Sequence, residues 1–168
     1  MAVDTIWENM ARVYLETSFF SACVSDRTDP RSVVRRDETR RWWVQQRLLH
    51  KLFISAEVMR ELSAPAYPHG NEALALTGET EVLRLDEEAH GLAKILVREK
   101  AMPGPEESGD ALHVAVAIVQ RMDAVLSWNV KHLANRNKVA HLREVCRRVG
   151  YVPPDLVTPD AFWETEGE

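Results

Sequence analysis

The chain has 168 residues, a mass of 19.1 kDa and 45% hydrophobic residues, which suits one buried core and is too short for two ordinary domains. Its net charge of −5 and pI near 5.7 argue against a protein whose whole surface coats nucleic acid. Two cysteines exclude a disulfide framework, and no apolar stretch reaches the roughly 20 residues of a membrane span, so we expect a cytoplasmic protein with no membrane contact.

Strand-like and helix-like patterns alternate along the chain after an N-terminal extension, residues 1–11. The first half of the chain predicts a strand at Arg12–Leu15, a helix over 40–52 capped by Asp37 or Thr39, a strand over 52–55, and helices over 56–62 and 71–76. A strand over 81–85 follows, then a helix over 87–102 capped by Asp86 and a helix over 111–122 opened by Asp110. The last part predicts a strand over 124–127, a helix over 137–149, and a short strand before a helix begun near Thr158. No repeat or linker interrupts this order, so residues 12–163 are expected to form one domain before a tail, 164–168.

Strands that alternate with helices favour a parallel sheet joined by right-handed crossovers. The expected fold class is therefore α/β, a three-layer α/β/α sandwich with a mainly parallel central sheet. In such a sheet, ligands bind at the rim formed by the carboxyl ends of the strands.

Four oxygen-bearing side chains lie at predicted strand ends or on the first turns of predicted helices: Glu16, Glu61, Asp110 and Asn129. Because strand ends meet at one rim of the sheet, these side chains can converge in space. Carboxylate and amide oxygens suit Mg²⁺ or Mn²⁺ and not the His and Cys preference of zinc. Such an ion polarises a phosphoryl oxygen and lowers the pKa of an attacking water, so the pattern predicts metal-assisted phosphodiester hydrolysis.

Each of the four residues also has a local structural interpretation. Glu61 and Asp110 could satisfy free N–H groups at helix N-termini, and Glu16 could cap a helix that starts directly after it. Asn129 could be a turn residue, which is a common role of asparagine. The spacing of these residues leaves both interpretations open.

Six further polar residues are candidates for substrate contacts or for orienting the four: Thr17, Ser18, His113, Ser127, Lys131 and His132. His113 lies three positions after Asp110, so both face the same side of a helix, where the histidine is either an orienting group or a half-buried structural one. Glu57 competes with Glu61 as the second acid.

Two other patterns suggest contact with nucleic acid. From Lys131 to Arg148 there are six basic residues against one acid, a local charge of +5, which suits either a phosphodiester backbone or a solvated amphipathic helix. Trp42 and Trp43 in the long early helix either stack on unpaired bases or belong to the core or a protein interface.

Four motifs occur in order over residues 12–163: VYLETSFFS, ISAEVMREL, GDALHVAVAIVQRMDAVLSWNVKHLAN and LVTPDAFW. Together they resemble the PIN-domain family and, more narrowly, its VapC-like group. The resemblance implies a Mg²⁺- or Mn²⁺-dependent ribonuclease, in many cases the toxin of a type II toxin–antitoxin pair. It also implies an RNA substrate, a small antitoxin protein as partner and a homodimer.

PIN domains place one acid after the first strand, one in the helix after the second strand, one at the start of the buried helix and one after the next strand. Glu16, Glu61, Asp110 and Asn129 match these positions in turn. The resemblance also favours Glu61 over Glu57, because PIN domains show the S-x-x-V-x-x-E spacing that ends at Glu61.

The chain departs from the family pattern at two positions. Glu16 stands where PIN domains usually have Asp and reaches about one methylene further. Asn129, at the fourth position, stands where many have Asp and supplies an oxygen without charge, so metal affinity should fall with the lost ligand charge. An alternative hypothesis is therefore a catalytically weakened PIN-fold module that binds RNA or a protein partner. A phosphatase or a DNA nuclease is a third possibility, since the ion contacts only a phosphate.

Overall fold

Five short strands form the central sheet of the computed structural model, which describes residues 10–130 and 136–164. The strands are β1 Arg12–Leu15, β2 Lys51–Ser55, β3 Glu81–Leu83, β4 Ala124–Leu126 and β5 Asp155–Val157. Their order is β3-β2-β1-β4-β5, and every pairing is parallel. β1 is central, with Tyr14 in register with Phe53 on one side and Val125 on the other. The predicted α/β class and parallel sheet are confirmed.

Helices connect the strands: α1 Thr17–Val24, α2 Pro30–Gln46, α3 Ala56–Leu62, α4 Gly70–Leu76, α5 Glu87–Arg98, α6 Asp110–Val119 and α7 Arg136–Val149. Short 3-10 turns are Arg47–Leu49, Thr77–Glu79 and Pro159–Ala161. α1 packs against α2 and α4, whereas α5 packs along α6. Right-handed crossovers place α1 to α4 on one face of this sheet and α5 to α7 on the other, which gives three layers.

The early long helix differs from its prediction. It begins at Pro30, ten residues before the predicted start, and ends at Gln46. Asp29 caps it by accepting the N–H of Ser32 at 3.0 Å, and a proline in the first turn suits a helix start. The predicted caps lie inside this helix, where the Thr39 hydroxyl donates to the Arg35 carbonyl at 2.6 Å. The start of this helix is therefore set by the capping aspartate and the proline at 29–30. The apolar periodicity, which begins about ten residues later, does not mark it.

The core includes the strands and residues of helices on both faces of the sheet. Every residue of α6 from Ala111 to Ile118 is buried, which explains why its apolar residues occur on nearly all sides. Trp42 is 0% exposed, so the interpretation that it stacks on bases is wrong and the core interpretation is right. Trp43 is partly buried beside Phe19 and Arg47. Within the described ranges, no helix is long and apolar enough to cross a membrane.

Buried side chains of α2 form hydrogen bonds with the backbone of the C-terminal segment. The Trp42 indole N–H donates to the Phe162 carbonyl at 2.7 Å. The Gln46 side chain exchanges two hydrogen bonds with the backbone of Glu164, at 3.0 and 2.9 Å. His50 lies between the two aromatic rings, 5.7 Å from Trp42 and 5.2 Å from Phe162. The end of the described chain is therefore part of the fold.

We predict that His50 makes the stability of the fold sensitive to acid. Its side chain is 4% exposed and its Nδ1 has no partner among the described residues, and burial lowers the pKa of His50. The unfolded chain therefore binds the proton more readily below pH ~6.5, so stability is complete above that pH and is lost as the pH falls toward the lower folded pKa, by at most about 1.4 kcal/mol per pH unit.

The measurement is the free energy of unfolding in urea between pH 8 and pH 5, for the wild type and His50→Gln. We expect the wild type to lose more stability than the variant over this range. Parallel pH profiles of the two proteins would contradict the assigned role of His50.

Candidate functional site

The carboxyl ends of β1 and β4 form a topological switch point. Chain connections leave these two neighbouring strands toward opposite edges of the sheet, which opens a crevice where ligands bind in α/β folds. Glu16 directly follows β1 and donates its backbone N–H to the Leu126 carbonyl at 3.1 Å. Ser127 directly follows β4 and donates its backbone N–H to the Val157 carbonyl at 3.0 Å. Strand pairing therefore fixes both residues at one rim.

The Glu16 carboxylate is buried and held by hydroxyl groups. The residue is 3% exposed, and its Oε2 accepts hydrogen bonds from the Ser18 N–H at 2.9 Å, the Ser127 hydroxyl at 2.9 Å and the Ser18 hydroxyl. The bond from the Ser18 N–H makes Glu16 the N-cap of α1, so its local structural interpretation also holds. Its second oxygen, Oε1, lies 3.9 Å from His113 Nε2.

Glu61 and Glu16 meet at His113. Glu61 Oε1 contacts His113 Nε2 by a short hydrogen bond and accepts another from the Thr17 hydroxyl at 3.1 Å. Burial lowers the pKa of His113, which is 1% exposed, but the hydrogen bond to Glu61 and the charges of Glu16 and Glu61 outweigh burial and raise it. The imidazole thus lies where a positive charge compensates two carboxylates.

Tyr14 holds the far side of the imidazole. Its hydroxyl lies 2.6 Å from His113 Nδ1 and 2.8 Å from the Ser55 hydroxyl, in the interior of the protein. Burial, together with the nearby charges of Glu16 and Glu61, raises the pKa of Tyr14. Sequence reasoning missed both Tyr14 and Ser55. The available signal was a tyrosine inside a buried strand, because its hydroxyl needs a partner.

Asp110 is placed by the loop that precedes α6. The Glu57 carboxylate is 2% exposed, accepts the Gly109 N–H at 3.0 Å, and binds Arg60 through both oxygens at 2.5 and 2.9 Å. Burial opposes ionisation of Glu57, but the bonds from Arg60 and Gly109 lower its pKa. The oxygens of the Glu57 carboxylate are therefore occupied by Arg60 and by the loop before α6. Gly109 has φ +72°, and Asp110 follows it as the first residue of α6, one turn before His113.

Asn129 lies in a turn at the same rim. Its backbone N–H donates to the Ser127 hydroxyl at 3.0 Å, and the preceding Trp128 N–H donates to the Ser18 hydroxyl at 2.9 Å. The side chain lines a hollow beside Ser18 and makes no hydrogen bond with the two glutamates. The local interpretation of Asn129 as a turn residue therefore holds. Lys131 and His132 lie outside the described residues.

The oxygen donors of Glu16 and Glu61 are those that Mg²⁺ and Mn²⁺ prefer. Within residues 10–130 and 136–164, however, no three His, Cys, Asp or Glu side chains form a cluster able to hold a metal ion. Mg²⁺ is commonly bound through one or two carboxylates, waters and substrate phosphates, so two carboxylates still fit such an ion.

The sequence matches no protein-family model and none of the curated proteins compared with it. The structure is similar to the toxin VapC20 of Mycobacterium tuberculosis, which cleaves the sarcin-ricin loop, with 18% identity and a TM-score of 0.53 over 83% of this chain and 96% of that one. It is also similar to a chain of the VapBC2 complex of Rickettsia felis bound to promoter DNA, with 15% identity and a TM-score of 0.51 over 71% and 89%. At these identities the likeness concerns the fold, which is a VapC-like PIN-domain fold.

We predict that Glu57→Ala destabilises the fold by about 1–3 kcal/mol, because it removes a buried carboxylate and leaves the Gly109 N–H without its acceptor, whereas the other partner, Arg60, is 61% exposed. The matched control is Glu144→Ala, which removes another Glu–Arg pair at the same helical spacing on exposed α7 and should leave the free energy of unfolding almost unchanged. Urea denaturation of the three proteins checks this. Equal effects of the two substitutions would show that Glu57 is not a structural anchor.

Proposed function

We propose that this protein is a metal-dependent endoribonuclease of the VapC-like type, which hydrolyses phosphodiester bonds of RNA. The observation that carries the proposal is the convergence of Glu16 and Glu61 on one atom, His113 Nε2, at the switch point of a PIN-domain fold. The similarity to VapC20, a toxin that cleaves the sarcin-ricin loop, supports RNA as the substrate class.

Glu16, Glu61 and Asp110 are the proposed ligands of Mg²⁺ or Mn²⁺, with Asn129 assisting as an uncharged oxygen donor. When bound, the ion polarises a phosphoryl oxygen and lowers the pKa of the attacking water. Of these residues, the structure brings Glu16 and Glu61 to one histidine, and the roles of Asp110 and Asn129 rest on their positions at the same rim.

Other residues of the chain position the carboxylates. The Ser18 and Ser127 hydroxyls hold Glu16 Oε2, which leaves Oε1 directed toward His113. Thr17 donates to Glu61 and fixes the second carboxylate in the same way. His113 compensates both negative charges, because its Nε2 faces the two carboxylates. These groups preorganise the site before a substrate arrives.

A catalytically weakened module that binds RNA or a protein is the second candidate. It is favoured by the missing three-ligand cluster among the described residues and by the uncharged Asn129. Binding of a mixed RNA without cleavage at any Mn²⁺ concentration is the outcome that this candidate predicts.

We also propose a small antitoxin protein as partner and a homodimeric state, on the similarity to a chain of the VapBC2 complex. The antitoxin proposal would be supported if a neighbouring reading frame encodes a small DNA-binding protein and that protein copurifies with this chain. Sedimentation of the purified chain measures its oligomeric state directly.

For the activity itself, we predict that Glu61→Gln lowers Mn²⁺-dependent cleavage of a mixed-sequence RNA by at least about 100-fold, the scale of losing one group that stabilises the transition state. The control is Glu87→Gln, which makes the same change at an exposed position in the first turn of α5 and should leave cleavage unchanged. Full activity of Glu61→Gln, or a wild type that cleaves equally well in EDTA, would contradict the proposal.

We further predict that millimolar Mn²⁺ raises the melting temperature of the wild type, because a ligand that binds only the folded state stabilises it. Each kcal/mol of stabilisation corresponds to roughly 2–4 °C for a chain of this size. The Glu16→Gln/Glu61→Gln double variant should show no shift, and Glu87→Gln should behave like the wild type. If Mn²⁺ leaves the wild-type melting curve unchanged, these carboxylates do not bind it.

A further inference from the structure

A groove rich in arginine lies beside Glu16 and adjoins the carboxylate site. It consists of two adjoining hollows of about 170 and 350 Å³ between α1, the start of α2 and the turn after β4. We call it the arginine groove and define it by six of its lining residues: Ser18, Arg27, Arg31, Arg35, Trp128 and Asn129.

Two of the three arginines are not neutralised. Arg27 lies 3.4 Å from Asp29, whereas Arg31 and Arg35 form no ion pair with any residue in the described ranges. Burial and the nearby charge of Arg31 lower the pKa of Arg35, whereas the charge of Asp29, which also lines the groove, raises it. The three arginines outnumber this one acid, so a negatively charged ligand in the groove would relieve repulsion between Arg31 and Arg35.

The groove combines a planar cation with an aromatic surface. The Arg35 guanidinium lies 5.4 Å from the centre of a Trp128 ring, and the indole N–H donates to the Thr39 hydroxyl at 2.8 Å. A guanidinium held over an aromatic face keeps in-plane donors, whose fork matches the oxygens of a phosphate. Aromatic rings in nucleic-acid grooves also provide a surface on which bases stack.

The arginine groove and the carboxylate site share Ser18 and Asn129. The Ser18 hydroxyl bonds the Glu16 carboxylate and also accepts the Trp128 N–H at 2.9 Å. A polymer bound with one phosphate near Glu16 and Glu61 would thus meet the groove at an adjoining phosphate.

The wall of the groove is held in place before any ligand binds. The Arg36 guanidinium donates to the carbonyls of Ser25 and Arg27 at 3.1 and 3.4 Å, and Arg40 donates to the Cys23 carbonyl at 2.7 Å. These bonds fasten the turn between α1 and α2. A preformed site spends less of its binding free energy on ordering.

The basic α7 is a weaker candidate for the same role. Its Arg147 and Arg148 both contact Glu144, and Arg148 also contacts Glu99. Part of the +5 charge of this stretch is therefore already compensated on the protein surface.

We propose that the arginine groove binds a backbone phosphate of single-stranded RNA next to the bond presented to Glu16 and Glu61. Arg31 and Arg35 contact the phosphate, and Trp128 provides the surface for the adjacent base. The inference rests on the proposed nuclease function, for which it specifies how the substrate strand is held.

The test measures binding of a fluorescein-labelled, 12-nucleotide RNA of mixed sequence to the full chain in EDTA, across a range of salt concentrations. Arg31→Gln/Arg35→Gln should bind at least 10-fold more weakly, and the slope of log K against log salt should fall by roughly 0.7, since the two arginines hold one phosphate and each phosphate contact on a single strand contributes about 0.7. The matched control, Arg143→Gln/Arg147→Gln, makes the same charge change on α7 and should bind within twofold of the wild type.

Circular dichroism and melting curves establish that each variant is folded. Affinity of the groove variant within twofold of the wild type, or equal weakening by the α7 control, would overturn the proposal. A glutamate-rich decapeptide serves as a competitor. If it binds through Arg31 and Arg35 while the RNA does not, the groove is a docking site for an acidic protein segment and the RNA proposal is wrong.

Failure of this inference is distinguishable from failure of the proposed function. If the wild type binds RNA through Arg31 and Arg35 but does not cleave it with Mn²⁺, the proposed nuclease function is wrong and the proposed role of the arginine groove stands. If the wild type cleaves RNA and the groove variant binds RNA as tightly as the wild type, only the proposed role of the arginine groove is wrong. Glu87→Gln should bind RNA in EDTA as tightly as the wild type, because Glu87 is exposed on α5 and lines neither hollow of the groove.

Discussion

Two carboxylates brought together at one rim of a parallel sheet are the constraint on which the structure of this site depends. Unpaired charges removed from water are costly, so the buried Glu16 carboxylate and the Glu61 carboxylate, which is 28% exposed, need compensation where they meet. The chain compensates them with the His113 imidazole and with hydroxyls from Thr17, Ser18 and Ser127. A protein that only needed a stable fold would gain little from this arrangement, because apolar residues of similar volume are often as stabilising.

The surrounding elements serve the same arrangement. Strand order places the residue after β1 beside the residue after β4, and Tyr14 fixes the imidazole from within the sheet. Glu57 ties the loop before α6 to α3, which sets where Asp110 begins its helix. The arginine groove adjoins the same rim at Ser18, which accepts the Trp128 N–H. The carboxylates and the cations thus form two neighbouring surfaces of opposite charge, which suits a ligand with both a reactive phosphate and a flanking one.

Local signals predicted much of the fold. The strand at Arg12–Leu15 and the helix at Ala56–Leu62 have their predicted bounds, because alternation, capping and proline signals act within a few residues. The switch-point rule likewise predicted the position of Glu16 at the rim of the sheet. The contact between Tyr14 and His113 joins residues 99 positions apart, and the anchoring of Gly109 by Glu57 spans 52 positions. Such contacts depend on tertiary packing, so no local pattern in the sequence reveals them.

The most direct test of the central claim is a crystal structure of the protein soaked in millimolar MnCl₂, with anomalous diffraction recorded at the manganese edge. Our account predicts an anomalous peak bonded to carboxylate oxygens of both Glu16 and Glu61. The peak should be lost in crystals of Glu61→Gln. A map without any peak at the two carboxylates, with Glu61 still hydrogen-bonded to His113, would contradict the claim that they form a metal-binding pair.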